Sequence, residues 1–170
     1  MAKHVPERRV GSQSRPTGLI EVVPTTYEHC LYVAKHMRPG DKAECTASSG
    51  DTPIDALWEG ASKSAKVFTG IHDGDPFAIF GVVSGTCGTG YVWLLGTPRI
   101  SKVARSFHRA SKRWLRELEK GYALVGNAVD ERNTVHVRWL KALGFEVKRE
   151  LNGWGTNGEK FLEMWKVTDV

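Results

Sequence analysis

The sequence has little cysteine and no long apolar run, and both absences narrow its class. Three cysteines occur among 170 residues, and none stands in a Cys-x-x-Cys pair or at a Cys/His spacing typical of zinc sites. We therefore expect a reducing, cytoplasmic setting and no metal site. No stretch approaches the roughly 18 apolar residues that a membrane-spanning helix needs. The N-terminal residues also lack the apolar segment of a secretory signal, so no membrane partner is expected.

Apolar and charged residues are present in ordinary amounts, at 41% and 25%, which is enough for one globular domain with a real core. The formal net charge is +5, which permits an anionic partner such as nucleic acid, a phosphorylated cofactor or an acidic protein. Residues 1–18 hold four Lys/Arg, one Glu and two Pro. This composition predicts a flexible basic tail, either a frayed end or an electrostatic docking arm. Residues 19–170 are expected to form a single domain.

Hydrophobic periodicity predicts the element order β, α, α, β, β, β, α, β, α, β, β. The polar, turn-rich segment 38–51 is expected to be a loop, and the longest helix is expected to run from Ser101 to about Lys120. A meander of strands followed by a β-α-β-α crossover predicts an α/β fold, with a mixed, mostly antiparallel sheet and helices on both faces.

The junction from Trp93 to Ala104 carries the first candidate site. A buried strand there turns into the start of the longest helix, whose unpaired N–H groups and positive dipole end suit a phosphate. Ser101 is predicted to cap this helix, and Arg99, Lys102 and Arg105 add positive charge. An ordinary strand–helix turn with solvated basic residues is the alternative interpretation.

The segment from Asn127 to Phe145 carries the second candidate site. Asn133 stands at a predicted helix start, where capping alone explains it. His136 lies one turn into the same helix. A lone helical histidine is either a packing residue or an acid–base group whose unperturbed pKa lies near neutrality.

The order of elements and these two segments resemble the GNAT superfamily of acyl-CoA N-acyltransferases over about residues 19–168. Members carry an Arg/Gln-x-x-Gly-x-Gly/Ala signature after the fourth strand, where backbone amides hold the CoA pyrophosphate. Here Arg99 and Ala104 keep the outer positions, and Lys102 stands where the middle glycine belongs. A lysine at this position either blocks the phosphate or supplies a charge contact to it.

A second GNAT signature, Asn-x-x-Ala-x-x-Leu-Tyr-x-Lys-x-Gly-Phe, is similar to the segment that starts at Asn133. The Asn, Gly and Phe positions are kept, whereas His136, Trp139 and Leu140 replace the Ala, Leu and Tyr. In many members this tyrosine protonates the departing CoA thiolate. The resemblance therefore implies that the usual general acid is absent here.

The resemblance implies direct transfer of an acetyl group from acetyl-CoA to an amine acceptor, with pantetheine between the strands at 91–95 and 122–127. His136 is the first candidate for base or acid, and Asp130 and Glu131 are weaker candidates. The residues expected to contact the cofactor are Leu94, Leu95, Gly96, Arg99, Ser101, Lys102, Val103, Ala104, Asn127 and Asn133.

The run from Asn127 to Phe145, and above all Asn-Thr-x-His-x-Arg-Trp-Leu-Lys from Asn133 to Lys141, is also similar to a family from short-tailed bacteriophages. That family is often labelled internal virion protein or core protein A, and its members resemble divergent GNAT domains. This resemblance implies a role in virion morphogenesis, with virion or host proteins as partners. The cytoplasm of the infected bacterium, or the virion, is the implied location.

Nucleic-acid binding is a third interpretation. The predicted helix 101–120 carries seven Lys/Arg against two Glu. Such a charge run is more often the solvated face of a helix, so nucleic acid is not the favoured partner.

Overall fold

The computed structural model describes residues 19–168, so the predicted basic tail lies outside the described residues. They form one seven-stranded sheet in the order β1-β2-β3-β4-β5-β7-β6, in which only the β4–β5 pair is parallel. The strands are β1 (Ile20–Pro24), β2 (Ser64–His72), β3 (Asp75–Ser84), β4 (Thr89–Gly96), β5 (Leu124–Asp130), β6 (Glu146–Leu151) and β7 (Phe161–Val167). The α-helices are α1 (Tyr27–Lys35), α2 (Pro39–Ser49), α3 (Pro53–Lys63), α4 (Ala104–Glu119) and α5 (Thr134–Ala142).

Helices cover both faces of this sheet, as predicted, because side chains on β3 and β4 alternate between two apolar layers. Ile79 and Leu95 pack on one face with residues of α1, α2 and α3. Phe80 and Leu94 pack on the other face with residues of α4 and α5. The mixed, mostly antiparallel α/β architecture predicted from the sequence is confirmed. Within residues 19–168, no helix combines the length and apolar character that crossing a membrane requires.

The structure corrects the expectation of a loop over residues 38–51, because α2 fills most of this segment. Pro39 starts the helix, and Gly50 ends it in the left-handed conformation at φ 78°. Both are ordinary helix boundary signals. The buried side chains of α2 are only Asp41, Cys45 and Ala47, so the helix lacks the stripe of large apolar residues from which periodicity is recognised.

The longest helix also differs from its predicted start. A short 3-10 helix, Pro98–Ser101, follows β4, and α4 begins only at Ala104. The Ser101 hydroxyl donates to the carbonyl of Pro98 rather than capping α4. Thr97 caps the 3-10 turn instead, accepting a hydrogen bond from the N–H of Arg99.

The two parallel strands, β4 and β5, stop pairing about halfway along their length. β4 and β5 pair only from Thr89 to Tyr91, opposite residues 124–126. Beyond Tyr91, β4 stays with β3 as far as Gly96, while β5 stays with β7 as far as Asp130. Because the strands diverge, the sheet opens between their carboxyl-terminal halves, next to the first turns of α4 and α5.

Candidate functional site

A cleft of about 540 Å³ lies beside this opening, against the end of β4. Its walls come from the end of β4, the 3-10 turn, the start of α4, the first turns of α5 and the start of α2. The residues that line it are Arg38, Pro39, Leu94, Pro98, Ile100, Ser101, Ala104, Phe107, His108, Val135, His136 and Trp139. Four of the residues predicted for the site, each on a different element, therefore meet in one place: Leu94, Ser101, Ala104 and His136.

The first turn of α4 presents unpaired hydrogen-bond donors to one end of the cleft. Within the described chain, no backbone carbonyl accepts from the N–H groups of Ala104, Arg105 and Ser106. Lys102 and Arg105 are exposed beside these amides, and no acidic residue lies in the first turn. The backbone of Lys102 is right-handed, with φ −70°, so this turn does not require glycine there. Free amides, a helix dipole and two cations together suit an anion such as a phosphate.

The backbone N–H and carbonyl of Leu94, on β4, face the opening in the sheet, and the hydrogen bonds of Gly96 show their direction. The N–H of Gly96 donates to Asp41 Oδ2 at 2.9 Å, and its carbonyl accepts from the N–H of Arg38 at 2.9 Å, both on the side away from β3. Because backbone groups alternate sides along a strand, Leu94 directs its N–H and carbonyl the same way. β5 has already diverged at this level. Leu94 therefore offers one donor and one acceptor to an extended amide lying in the opening.

A buried carboxylate of α2 ties the end of the cleft together. Asp41 is 1% exposed and accepts from the Arg38 guanidinium, from the Gly96 amide and, at 3.3 Å, from Asn133 Nδ2. α2 comes close to α5 at Gly40, where an added Cβ would lie 3.3 Å from Asn133 Oδ1. Asp41 thus joins α2, β4 and α5 in one hydrogen-bonded junction.

A second carboxylate of α2 reaches the histidine predicted for catalysis. Glu44 Oε1 lies 3.3 Å from His136 Nδ1, and Glu44 Oε2 accepts from Asn133 Nδ2 at 2.7 Å. On the other side of the ring, His136 Nε2 lies 3.5 Å from Asn127 Nδ2 on β5. His136 is 4% exposed, and its ring is 5.9 Å from that of Trp139. One imidazole nitrogen therefore faces a carboxylate, and the other faces the parted strands.

Trp139 supplies a donor without a partner. Its indole ring stacks on Phe107 at 5.9 Å and lines the cleft, and its Nε1 is buried without a hydrogen-bond partner among residues 19–168. A buried unsatisfied donor typically costs about 1–3 kcal/mol. The next residue, Leu140, is 1% exposed within the core, so the position of the tyrosine in the GNAT signature presents no hydroxyl here.

Several residues predicted to contact a cofactor lie outside the cleft walls. Arg99 forms an ion pair with Asp75 at 2.5 Å. Leu95 packs on the opposite face of the sheet, and Val103 is buried in the core. Lys102 is exposed beside the cleft rather than lining it.

Asp130, the weaker catalytic candidate, is 2% exposed at the end of β5, where it accepts from the backbone N–H and the guanidinium of Arg132. Burial alone raises the pKa of Asp130, but these hydrogen bonds and the adjacent positive charge bring it below its ordinary value. A carboxylate held ionised in this way is a poor proton acceptor near neutral pH. It is also absent from the cleft wall.

The cysteines offer no activated thiol in the core. Burial raises the pKa of Cys30 to about 11. Burial, followed by the nearby charges of Glu44 and Asp41, raises the pKa of Cys45 to about 12. Both thiols are therefore protonated near neutrality. Across residues 19–168, no three His, Cys, Asp or Glu side chains are placed to hold a metal ion.

Four residues of the site were not predicted from the sequence. Arg38, Asp41 and Glu44 fall in the segment expected to be a loop, and Trp139 was not among the residues predicted for the site. The signal for α2 was present in Pro39 at its start and in the glycine at its end. Nothing in the local sequence indicates that Glu44 meets a side chain 92 residues later.

Comparison with solved structures places this fold among acetyltransferases. The chain is similar to yncA from Salmonella typhimurium, in a structure with its cofactor acetyl-CoA, with a TM-score of 0.68 at 12% identity over 89% of this chain and 95% of that one. A GNAT-family acetyltransferase from Bacillus anthracis gives a TM-score of 0.64 at 10% identity, over 87% and 94% of the two chains. A ribosomal-protein alanine N-acetyltransferase from Escherichia coli gives 0.64 at 10% identity, over 89% and 96%.

These likenesses establish that the chain has the GNAT fold, as the sequence resemblance implied. At identities of 10–12% they establish the fold alone. No protein-family model matches the chain, and no curated protein matches its sequence.

Proposed function

We propose that this protein is an acetyl-CoA-dependent N-acetyltransferase that transfers the acetyl group directly to an amine. The observation that carries the proposal is the parting of β4 from β5 after Tyr91, which opens a cleft between unpaired backbone groups and a basic helix start. The similar Salmonella protein has acetyl-CoA as its cofactor, and the similar Escherichia coli enzyme acts on an alanine of a ribosomal protein. These two proteins support an acyl-CoA donor and an amine acceptor.

The residues of the cleft fit the chemical parts of acetyl-CoA. The free amides of Ala104 to Ser106, with Lys102 and Arg105 beside them, match a pyrophosphate. The unpaired peptide groups of Leu94 match the amides of a pantetheine arm. The indole ring of Trp139 forms part of the inner wall. Within this assignment Ser101 lines the phosphate end, and Asn127 and Asn133 flank the histidine rather than the phosphates.

Acetyl-CoA would supply a thioester, an acyl donor that needs no prior activation by the protein. An amine acceptor is mostly protonated near neutrality, since an alkylammonium such as that of lysine has a pKa of about 10.4. A base must therefore remove a proton from the amine before its nitrogen attacks the acyl carbon. Two imidazoles line the cleft, His108 and His136, and we assign this step to His136 because its ring is held against the Glu44 carboxylate.

The nitrogen loses two protons in all, one before it attacks and one after the C–N bond forms, and the second balances the leaving group. As the new C–N bond forms and the C–S bond breaks, the sulfur leaves as a thiolate that needs one proton. Leu140 cannot supply it, because the side chain is aliphatic and buried. We assign these transfers to His136, which takes the first proton from the ammonium and releases it to solvent, then takes the second from the nitrogen once the C–N bond has formed and passes it to the thiolate. Asp130 takes no part in these transfers, because its carboxylate is paired with Arg132.

An acceptor screen tests the proposed reaction. Purified protein is incubated with acetyl-CoA and a panel of polyamines, aminoglycosides, free amino acids and peptides with free N-termini. Thiol release is followed by colorimetry, and the acetylated product is identified by mass spectrometry. We expect thiol release that depends on both protein and acceptor, with a mass gain of one acetyl group. Release of thiol without an acetylated product would contradict transfer to an amine.

A non-catalytic role in a bacteriophage particle is the second candidate. The observations that favour it are the buried aliphatic side chain at Leu140 and the engagement of both Gly96 backbone groups by α2. Under this candidate the protein acts in the cytoplasm of an infected bacterium or inside the virion, in contact with virion or host proteins. Mass spectrometry of purified particles, combined with absence of acetyl-CoA binding, would favour it over catalysis.

A further inference from the structure

We infer that Glu44 is a positioning residue that holds the proton of His136 on Nδ1 and so makes Nε2 the basic nitrogen at the parted strands. The inference rests on the proposed function, because it names how the base of that reaction is oriented. It assigns a role to a residue of α2, a helix that contributes none of the residues predicted for the site from the sequence.

The contacts around the ring distinguish its two nitrogens. Nδ1 lies 3.3 Å from Glu44 Oε1 and 3.4 Å from Oε2, and a carboxylate can only accept at neutral pH. Nε2 lies 3.5 Å from the amide nitrogen of Asn127, which can only donate. Both neighbours therefore favour the same tautomer, with the hydrogen on Nδ1 and the lone pair on Nε2.

The carboxylate is itself held in place. Asn133 Nδ2 donates to Glu44 Oε2 at 2.7 Å, while Asn133 Oδ1 accepts from the backbone N–H of His136. Asn133 thus caps α5 and fixes Glu44 at the same time. The neighbouring carboxylate, Asp41, is paired with Arg38, whereas within residues 19–168 His136 is the only ion-pair partner of Glu44.

The side facing β5 is where a proton could be exchanged. The contact between Nε2 and Asn127 is long, at the outer limit of a hydrogen bond, so an amine can replace it at low cost. A charged imidazole formed there is stabilised by Glu44, which is 12% exposed. The arrangement of carboxylate, imidazole and substrate proton is that of a general base oriented by a third group.

Nitrogen NMR on uniformly labelled protein tests the inference at a pH of about 8, where an ordinary imidazole is neutral. Long-range proton–nitrogen correlations identify which ring nitrogen carries hydrogen, and H136Q assigns the signals. We expect the Nδ1-protonated form in the unaltered protein and a mixture of forms in E44Q, because one amide oxygen replaces the two carboxylate oxygens that face Asn133 and His136. We expect the Nε2-protonated form to increase in E44A and to remain unchanged in E59A, an exposed carboxylate on α3.

Turnover adds a functional readout once the acceptor screen has identified a substrate. We expect E44A to lower kcat about tenfold or more and to leave the KM for acetyl-CoA within about twofold, with E44Q in between. An Nε2-protonated ring in the unaltered protein, or an E44A ring identical to it, would overturn the inference. The NMR measurement needs no acetyl-CoA. Failure of the proposed function, seen as absent acetyl-CoA binding, is therefore distinguished from failure of the assignment to Glu44.

Discussion

The two ends of the cleft differ in whether their hydrogen-bonding groups already have partners within the protein. At the start of α4, Lys102 and Arg105 are exposed, and three backbone amides have no backbone acceptor within the described chain. At the junction of α2 with α5, Asp41 and Glu44 are largely buried, and their carboxylates accept from neighbouring side chains. The α4 end therefore holds donors without a backbone acceptor, whereas the donors at the α2–α5 end are already bonded to carboxylates.

This difference assigns ligand binding to the α4 end of the cleft and the orientation of side chains to the α2–α5 end. Free donors at a solvated helix start gain energy only when an anion arrives, and each contributes modestly because water and salt screen the charge. Satisfied groups in a buried junction are already in place, and removing one leaves others unpaired at high cost. We therefore expect changes at the α4 end to alter affinity, and changes at the α2–α5 end to alter stability and turnover.

The largest effect is expected for D41A. Removal of this carboxylate leaves the Arg38 guanidinium and the Gly96 amide without their acceptor inside the fold. We expect the free energy of unfolding in urea to fall by about 3–5 kcal/mol. E59A removes an exposed partner of Lys63 and is expected to change it by less than about 0.5 kcal/mol. A loss below about 1 kcal/mol for D41A would show that the junction is not a stabilising network.

The second-largest effect is expected on kcat, the rate of the chemical step. We expect H136Q to lower kcat with an identified amine acceptor by about a hundredfold or more, because proton transfer loses its base. The affinity for acetyl-CoA should stay within about threefold, as measured by calorimetry. The control is H36Q, an exposed histidine at the end of α1. Unchanged turnover in H136Q would exclude His136 as the acid–base group.

A smaller effect is expected at the α4 end. The double substitution K102A with R105A removes two cations beside the free amides, each worth about 0.5–1 kcal/mol. We expect the Kd for acetyl-CoA to rise about tenfold, with a weaker dependence on salt, and the free energy of unfolding to stay unchanged. K112A, on the same helix but outside the cleft wall, should bind like the unaltered protein. Equal binding by all three proteins would contradict a phosphate site at this turn.

The smallest effect is a dependence of stability on pH. Because Arg132 lowers the pKa of Asp130 below its ordinary 3.8, the ionised carboxylate stabilises the fold above that value and loses this contribution as the pH falls through the lowered pKa. We expect D130N to be less stable than the unaltered protein by about 1 kcal/mol at pH 7. The gap should narrow below a pH of about 4, as measured by urea unfolding. In an R132A background the gap at pH 7 should be smaller, because only the backbone N–H of residue 132 still donates to the carboxylate. A gap that does not narrow below a pH of about 4 in the protein that keeps Arg132 would contradict the assignment.

Much of the fold could be predicted because its signals are local. Apolar alternation predicts the strands, and a local signal also marks α3, where Thr52 caps the helix by accepting from the N–H of Asp55. α2 was missed because its inward side chains are small or polar, so apolar spacing gives no signal. The 3-10 turn shifted the start of α4, because Thr97 and Pro98 provide an earlier cap and first turn than Ser101 does.

The site could be predicted only in part, because its decisive contacts join distant segments. The sequence placed His136 on a helix that faces the cleft, but Glu44, 92 residues earlier, comes to it only through packing of α2 on α5. Arg99 shows the opposite failure. Its charge suited a phosphate in the local sequence, yet the fold brings Asp75 to it from the start of β3.

Calorimetric titration of the purified protein with acetyl-CoA, and with desulfo-CoA in parallel, tests most directly whether the opening between β4 and β5 is a cofactor site. The account predicts saturable binding of both ligands with one site per chain and micromolar affinity, weakened by K102A with R105A. K102G is the second variant, because it places in this turn the glycine that the GNAT signature carries. Absence of binding by the unaltered protein, and by K102G as well, would contradict the central claim.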